Sequence, residues 1–274
     1  MIDVQHVHLT IKNKTILKDI TMTIESGQMI AIVGPNGAGK SSLLSVLAGD
    51  VRPTQGSVCF NGQYLREYKK IDLAKQQAVL PQFSGLTFDF PVRSVIEMGR
   101  APWQGTETQS EEKKWVEMAA DYAGISTLLN RRYRSLSGGE SQRVHFARVL
   151  AQLFPIESTQ EKHLLLDEPT ASLDWKHAYN VLAKTRQLTQ HGLTAVVVLH
   201  DLNLAATFAD SVAVIANGQL IKCGPAWDVL TVGTLKDVFG LDVCITKHPE
   251  GNTPLIIPTY QTELNLTPSL KEIQ

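Results

Sequence analysis

Apolar positions along the chain fall into two rhythms. From Ile2 to Ile24 polar and apolar residues alternate, the period-two pattern of half-buried antiparallel strands, with a turn at Lys12-Asn13-Lys14. Gln28 to Val33 is apolar throughout its length after the first residue, as a strand buried on both faces requires, and it runs into the glycine-rich stretch Gly34 to Gly39. A helix is predicted over Ser41 to Ala48, closed by Gly49 as its C-terminal cap. Pro53 to Gly62 reads as a hairpin, and Val79-Leu80 as a short strand.

From Phe83 to about Pro155 the texture becomes helical. Pro91 suits the first turn of a helix reaching Gly99, a charged helix is predicted at Ser110 to Ala123, and a longer one opens near Ser137 and runs to about Phe154. After a polar loop, Pro155 to Glu161, the alternation of strand and helix resumes: His163 to Leu166, His177 to Gln190, Ala195 to Leu199, Leu202 to Phe208, and a hairpin at Val212 to Ile221. Beyond Pro225 the pattern predicts one or two short helices and then a weakly patterned end. The expected fold class is α/β, with an N-terminal antiparallel β subdomain and an inserted α-helical subdomain. All of 1–274 is read as one domain: an α/β core from 1–82 and 156–250, the helical insertion at 83–155, and a tail at 251–274.

Composition narrows the choices only slightly. Lys plus Arg number 26 against 27 Asp plus Glu, so no net field draws the chain to nucleic acid or anionic lipid, and no nucleic-acid partner is expected. Cys59, Cys223 and Cys244 lack metal-ligand spacing and read as reduced packing residues of a cytosolic protein. The first residues hold no apolar run of signal-peptide type, and the longest apolar stretches are of strand length. Any membrane association is therefore expected to come through a partner.

Two segments carry chemistry. Gly34-Pro35-Asn36-Gly37-Ala38-Gly39-Lys40-Ser41 fits G-x-x-x-x-G-K-[ST] between a strand and a helix. Its glycines let backbone N–H groups converge on phosphate oxygens, the helix adds its positive end, Lys40 reaches the β- and γ-phosphates, and Ser41 offers a hydroxyl to magnesium. Ser42 completes the predicted ATP-binding set. The second segment, His163-Leu164-Leu165-Leu166-Asp167-Glu168, is a buried strand ending in two acids: Asp167 to hold magnesium and Glu168 to polarise the attacking water.

With these in place the chain resembles the ATP-binding subunits of ABC transporters, over roughly residues 2 to 250. Leu136-Ser137-Gly138-Gly139-Glu140, continued by Gln142-Arg143, is similar to that family's signature. Physically it is a second helix start able to hold a phosphate, and in the family it serves the nucleotide of a partner subunit. The resemblance thus implies an ABC-type P-loop core and a head-to-tail homodimer, with Ser137, Gly138, Gly139 and Glu140 acting on the partner's ATP. It further implies that Gln82 senses the γ-phosphate and the metal, that His200 contacts the γ-phosphate, and that Ser172-Leu173-Asp174 forms a loop at the dimer interface. The implied cofactors are ATP and Mg2+, the latter held by Ser41, Gln82 and Asp167, with Glu168, His200 and Gln82 as the catalytic set. One departure concerns the aromatic residue that stacks on adenine in the family. His8-Leu9-Thr10-Ile11 has no Phe, Tyr or Trp, Leu9 is taken to hold that position, and weak base discrimination is expected, with apolar contact or His8 substituting.

The stretch Phe90 to Trp103, with Val95-Ile96-Glu97-Met98-Gly99-Arg100-Ala101-Pro102 at its centre, lies where the family's ATPase receives a permease, and it resembles importers of iron chelates, cobalamin and haem. With Lys247-His248-Pro249-Glu250 it is most similar to the bacterial haem-import ATPases. The resemblance implies ATP hydrolysis driving hemin import at the cytoplasmic face of a bacterial inner membrane. The partners would be two transmembrane permease subunits and a substrate-binding protein. Siderophore or cobalamin cargo, or a soluble non-transport ATPase, stand as alternatives. His248 is read as a surface turn residue rather than a haem ligand.

Overall fold

The computed structural model describes residues 1–82, 88–156 and 160–259. The N-terminal alternation produces β1 (Ile2–Ile11) and β2 (Lys14–Ile24), an antiparallel pair whose register closes at Ile11 opposite Lys14. Ile2, Val4, Val7 and Leu9 of β1 face inward, the period of two being offset by one residue where the register shifts around His6. β3 (Met29–Val33) leads into α1 (Lys40–Ala48), which ends on left-handed Gly49. The segment expected as a hairpin at Pro53 to Gly62 differs: Gln55–Phe60 is a single strand, β4, whose long partner is β1, and the turn at Asn61-Gly62 returns it only to the two-residue β5 (Gln63–Tyr64). These four strands form one sheet in the order β2-β1-β4-β5.

A helix that the pattern did not suggest, α2 (Lys70–Gln76), precedes β6 (Gln77–Leu80). The helical block then holds α3 (Val92–Glu97), a 3-10 turn at Met98–Trp103, α4 (Gln109–Tyr122) and α5 (Gly138–Leu153). Both α4 and α5 begin with a capping box, Thr108 with Glu111 and Ser137 with Glu140, a start signal written in the sequence. The expected boundary at residue 83 lies outside the described residues.

β7 (Lys162–Asp167), α6 (Trp175–Thr189), β8 (Leu193–Val198), α7 (Leu202–Phe208), β9 (Ser211–Ala216) and β10 (Gln219–Gly224) complete the core. Its sheet runs β10-β9-β3-β8-β7-β6, parallel except for the edge strand β10. Alternate residues of the central strands feed two separate cores. Met29, Ala31, Leu164, Leu166, Ala195 and Val197 pack toward the helical block. Ile30, Ile32, Leu165, Val196 and Val198 pack with α1 and the antiparallel sheet. Burial on both faces is why these strands read as unbroken apolar runs.

The C-terminal segment departs from expectation. After α8 (Ala226–Val229) and α9 (Val232–Phe239), β11 (Val243–Lys247) and β12 (Pro254–Pro258) form an antiparallel pair, so part of the expected tail is a strand. Asn203 bonds both backbone groups of Ile256, at 3.1 and 2.8 Å, which fastens α7 to this hairpin. His248 sits in its turn, accepting from the Glu250 N–H at 3.2 Å, as a surface turn histidine should. No helix among the described residues is long and apolar enough to cross a membrane.

Candidate active site

Parallel strands in a twisted sheet deliver their C-terminal ends to one edge, and the predicted residues converge there. Gly34 to Gly39 follows β3, Asp167 and Glu168 end β7, His200 follows β8, and Gln82 follows β6. Though far apart in the chain, they meet in two neighbouring hydrogen-bonded sets. Ser41 Oγ donates to Asp167 Oδ1 at 3.2 Å, Gln82 Nε2 donates to Glu168 Oε2 at 2.7 Å, and His200 Nε2 lies 2.5 Å from Glu168 Oε1.

Backbone geometry builds the phosphate loop. Gly39 caps α1 from the left-handed region at φ 105°, where a Cβ would sit 3.0 Å from Leu17 and 3.2 Å from the Ile16 carbonyl oxygen. Only glycine takes this bend at low cost, and the bend turns the first N–H groups of α1 toward the loop. Lys40 is buried and donates to the carbonyl oxygens of Gly34 and Pro35 at 2.8 and 2.9 Å. Burial pushes its ammonium pKa below the ordinary range, and the carboxylates of Glu168 and Asp167 oppose that shift.

The two acids occupy different surroundings. Burial raises the Asp167 carboxyl above its usual pKa, with Glu168 adding to the shift, while the Ser41 hydroxyl and the charges of Lys40 and His200 oppose it. Glu168 adopts φ 49°, a conformation that a non-glycine residue holds only when its surroundings impose it. Here its N–H donates to the Val198 carbonyl at 3.2 Å while Gln82 and His200 hold both carboxylate oxygens. The result is a carboxylate in fixed orientation, set apart from the Ser41–Asp167 pair.

That pair supplies hard oxygen donors of the kind magnesium selects, and the Gln82 amide oxygen is a further one. Among the described residues no group of three or more His, Cys, Asp or Glu forms a protein-only metal cage. An ion suited to this site is one that takes its remaining ligands from phosphate and water, as magnesium does.

The Ser137–Glu140 segment is organised locally. Ser137 Oγ accepts from Glu140 N–H at 3.2 Å, and Glu140 accepts from Ser137 N–H at 2.8 Å and from Arg131 at 3.2 Å. The Glu140 carboxylate therefore shapes the helix start, leaving exposed Ser137 and Gly138 as the groups presented outward. The segment abuts the expected interface loop, since a Cβ on Gly139 would lie 3.4 Å from the Ser172 carbonyl oxygen. Asp174 caps α6, accepting from the His177 N–H at 2.9 Å, and that bond holds its carboxyl below the usual pKa.

The adenine expectation at Leu9 is overturned. Leu9 is 2% exposed, lies opposite Leu17 and packs in the sheet's inner core, so it has no face to offer a base. Ile11, 46% exposed and beside the turn, stands in the open instead, because the β1–β2 register shifts between Leu9 and Thr10 and breaks the alternation there.

The model of the family described as ABC transporter matches residues 17–171, more than half of the chain. The chain belongs to the ABC transporter family. Among curated relatives of this ABC chain is the hemin import ATP-binding protein HmuV of Pseudomonas putida, 43% identical over 257 residues, spanning 94% of this chain and 99% of the relative. The protein of the same name from Thermobifida fusca is 41% identical over 254 residues, 93% and 87% of the two chains. A solved metal-chelate type ABC transporter in an inward-facing conformation superposes with a TM-score of 0.79 at 26% identity, covering 95% of this chain and 98% of its own. A dimeric ATP-binding cassette in a post-hydrolysis state with ADP and Pi gives 0.72 at 25% identity, covering 82% and 99%.

Proposed function

We propose that two copies of this chain pair head to tail and hydrolyse MgATP to drive hemin import through a membrane permease. One observation carries the pairing. A single chain presents two helix starts suited to phosphate, yet the hydrolytic cluster of Glu168, Gln82 and His200 lies with the Gly34–Ser42 loop while Ser137–Glu140 is organised on its own. Head-to-tail symmetry uses both, placing the partner subunit's Ser137 and Gly138 against the nucleotide held by this chain's loop. Trp175, 87% exposed and next to Asp174, adds an apolar surface beside the interface loop. The solved cassette dimer with ADP and Pi supports this arrangement.

In this reading the Gly34–Ser42 backbone and Lys40 bind and orient the phosphates. Glu168 accepts a proton from the attacking water as its oxygen bonds to the γ-phosphorus and the bond to the ADP oxygen breaks. Gln82 and His200 keep the Glu168 carboxylate aimed, and His200 stabilises charge on the phosphoryl group. Ser41, Gln82 and Asp167 would hold magnesium, which when bound neutralises phosphate charge. Preference of ATP for the closed pair moves the helical segments against the permease, a population shift rather than a mechanical push.

The cargo assignment draws on the curated relatives named for hemin import and on the metal-chelate transporter. In this reading the chain works at the cytoplasmic face of a bacterial inner membrane, attached through two permease subunits fed by a substrate-binding protein. The test is ATP hydrolysis by the chain reconstituted with its co-encoded permease in liposomes. Stimulation by a haem-loaded binding protein, and not by siderophore- or cobalamin-loaded ones, is the expected result. Stimulation by another chelate discards haem and keeps the motor.

A further inference from the structure

The Met98–Trp103 turn, within the stretch expected to face a permease, spends its distinctive residues internally. Gly99 and Arg100 are buried. A Cβ on Gly99 would stand 2.1 Å from the Arg148 carbonyl oxygen, so only glycine lets this turn lie on α5. The carbonyl oxygens that end α5 are then taken up one after another. Arg100 Nη1 donates to Ala151 and, at 2.8 Å, to Phe154. Trp103 Nε1 donates to Gln152 at 2.8 Å, and Lys162 Nζ donates to Leu153 at 2.6 Å and Pro155 at 2.7 Å. Three cations, Lys75, Arg100 and Lys162, stand 5.0 to 5.2 Å from the Trp103 ring. The negative end of α5, the Trp103 ring and the Arg100–Glu107 ion pair make this charge tolerable in a buried place.

Each element fastened here leads to the active site. α5 begins at Ser137 and ends at this clamp. Lys162 is the first residue of β7, the strand that ends at Asp167. Gln152 donates to Ala74 and Gln77, at 2.7 and 2.8 Å, and Gln77 opens β6, which leads to Gln82. No residue of the phosphate loop takes part in these bonds; the one link toward it is Gln77 Nε2 donating to the Leu47 carbonyl at the far end of α1, at 2.8 Å.

We propose that Arg100, Trp103 and Lys162 are positioning residues that fix the signature end of α5 relative to the strands carrying Gln82, Asp167 and Glu168. The inference rests on the head-to-tail reading above, because a misplaced Ser137–Glu140 segment damages the nucleotide site of the partner. Loosening the clamp weakens ATP-driven pairing and leaves nucleotide binding by the single chain intact.

The experiment uses the full chain carrying Glu168→Gln, to which Lys162→Met or Trp103→Phe is added. Lys162→Met keeps length and packing but leaves two carbonyl oxygens without a donor, and Trp103→Phe removes one N–H with little change of shape. Fluorescent-ADP binding to the monomer is expected to match the parent. The ATP concentration giving half-maximal dimer in size-exclusion chromatography is expected to rise about tenfold for either variant, the loss typical of one buried hydrogen bond. Lys162→Arg, which restores a cationic donor, is expected to recover pairing. Unchanged pairing in both variants overturns the proposal, as does a parallel loss of ADP binding, which would mark a general structural defect. Failure of the Glu168→Gln parent itself to pair with ATP refutes the head-to-tail reading and this inference with it.

Discussion

Ser41 and Asp167 meet at 3.2 Å although 126 residues separate them. A helix that starts after β3 and a strand that ends beneath it bring a hydroxyl and a carboxylate to the same point. Removing either should therefore act on metal use rather than on folding. Ser41→Ala is expected to raise the magnesium concentration for half-maximal hydrolysis about tenfold, while EDTA abolishes turnover of the parent. A phosphate-release assay across a magnesium titration reads this, and an unchanged magnesium dependence removes Ser41 from the metal site.

Glu168 is held at both carboxylate oxygens by Gln82 and His200, which follow two other strands. Glu168→Gln keeps the shape and removes the proton acceptor. Turnover is expected to fall by a factor on the order of 10² to 10⁴, with an ATP-bound dimer accumulating in chromatography. Turnover at the parent rate takes Glu168 out of the base role.

Among the described residues of the cluster His200 bonds to Glu168 alone, so its loss should be felt in the chemical step. For His200→Ala a fall in kcat of about a hundredfold is expected, with the ATP KM nearly unchanged. A rise in KM alone would make it a nucleotide-binding residue.

Exposed Ile11, rather than an aromatic ring, borders the β1–β2 turn. Comparable hydrolysis of ATP and GTP is expected in the parent. Ile11→Tyr should lower the KM for ATP about tenfold, since stacking of a base on an aromatic ring is worth roughly 1–3 kcal/mol. Strong ATP selectivity in the parent, or no response to Ile11→Tyr, counts against that position.

Two buried histidines make the fold sensitive to acid. Burial lowers His145 and His163 to pKa values of about 4 from 6.5. The unfolded chain binds more protons than the folded one between those limits, so stability falls as pH drops from 6.5 toward 4 and is flat above. Full protonation costs about 3 kcal/mol per histidine. His163 packs on Phe60 with ring centroids 4.5 Å apart, and neither of its ring nitrogens has a hydrogen-bond partner among the described residues. His163→Leu is expected to raise the melting temperature at pH 5 more than at pH 8. An equal change at both pH values would show that His163 does not titrate with unfolding.

The phosphate loop, the capping boxes, the unbroken apolar strands and the acids at the end of β7 were legible in the sequence because each is a local pattern. Glycine spacing, a serine three residues before a glutamate, or a run buried on both faces carries its own physical reason. The residue roles at Gln82, His200 and Ser137 came from resemblance alone, since a lone glutamine or histidine has no local signature. Tertiary structure decided what depends on contact between distant segments. It set β4 against β1 rather than into a hairpin, turned Leu9 inward and Ile11 outward, and folded part of the expected tail into β12. It also turned Arg100 and Trp103 away from the surface onto the end of α5. Sequence by itself determined which groups could bind phosphate and move a proton. Only packing determined which of them meet, because carbonyl oxygens at a helix end accept whichever donors the fold brings within reach.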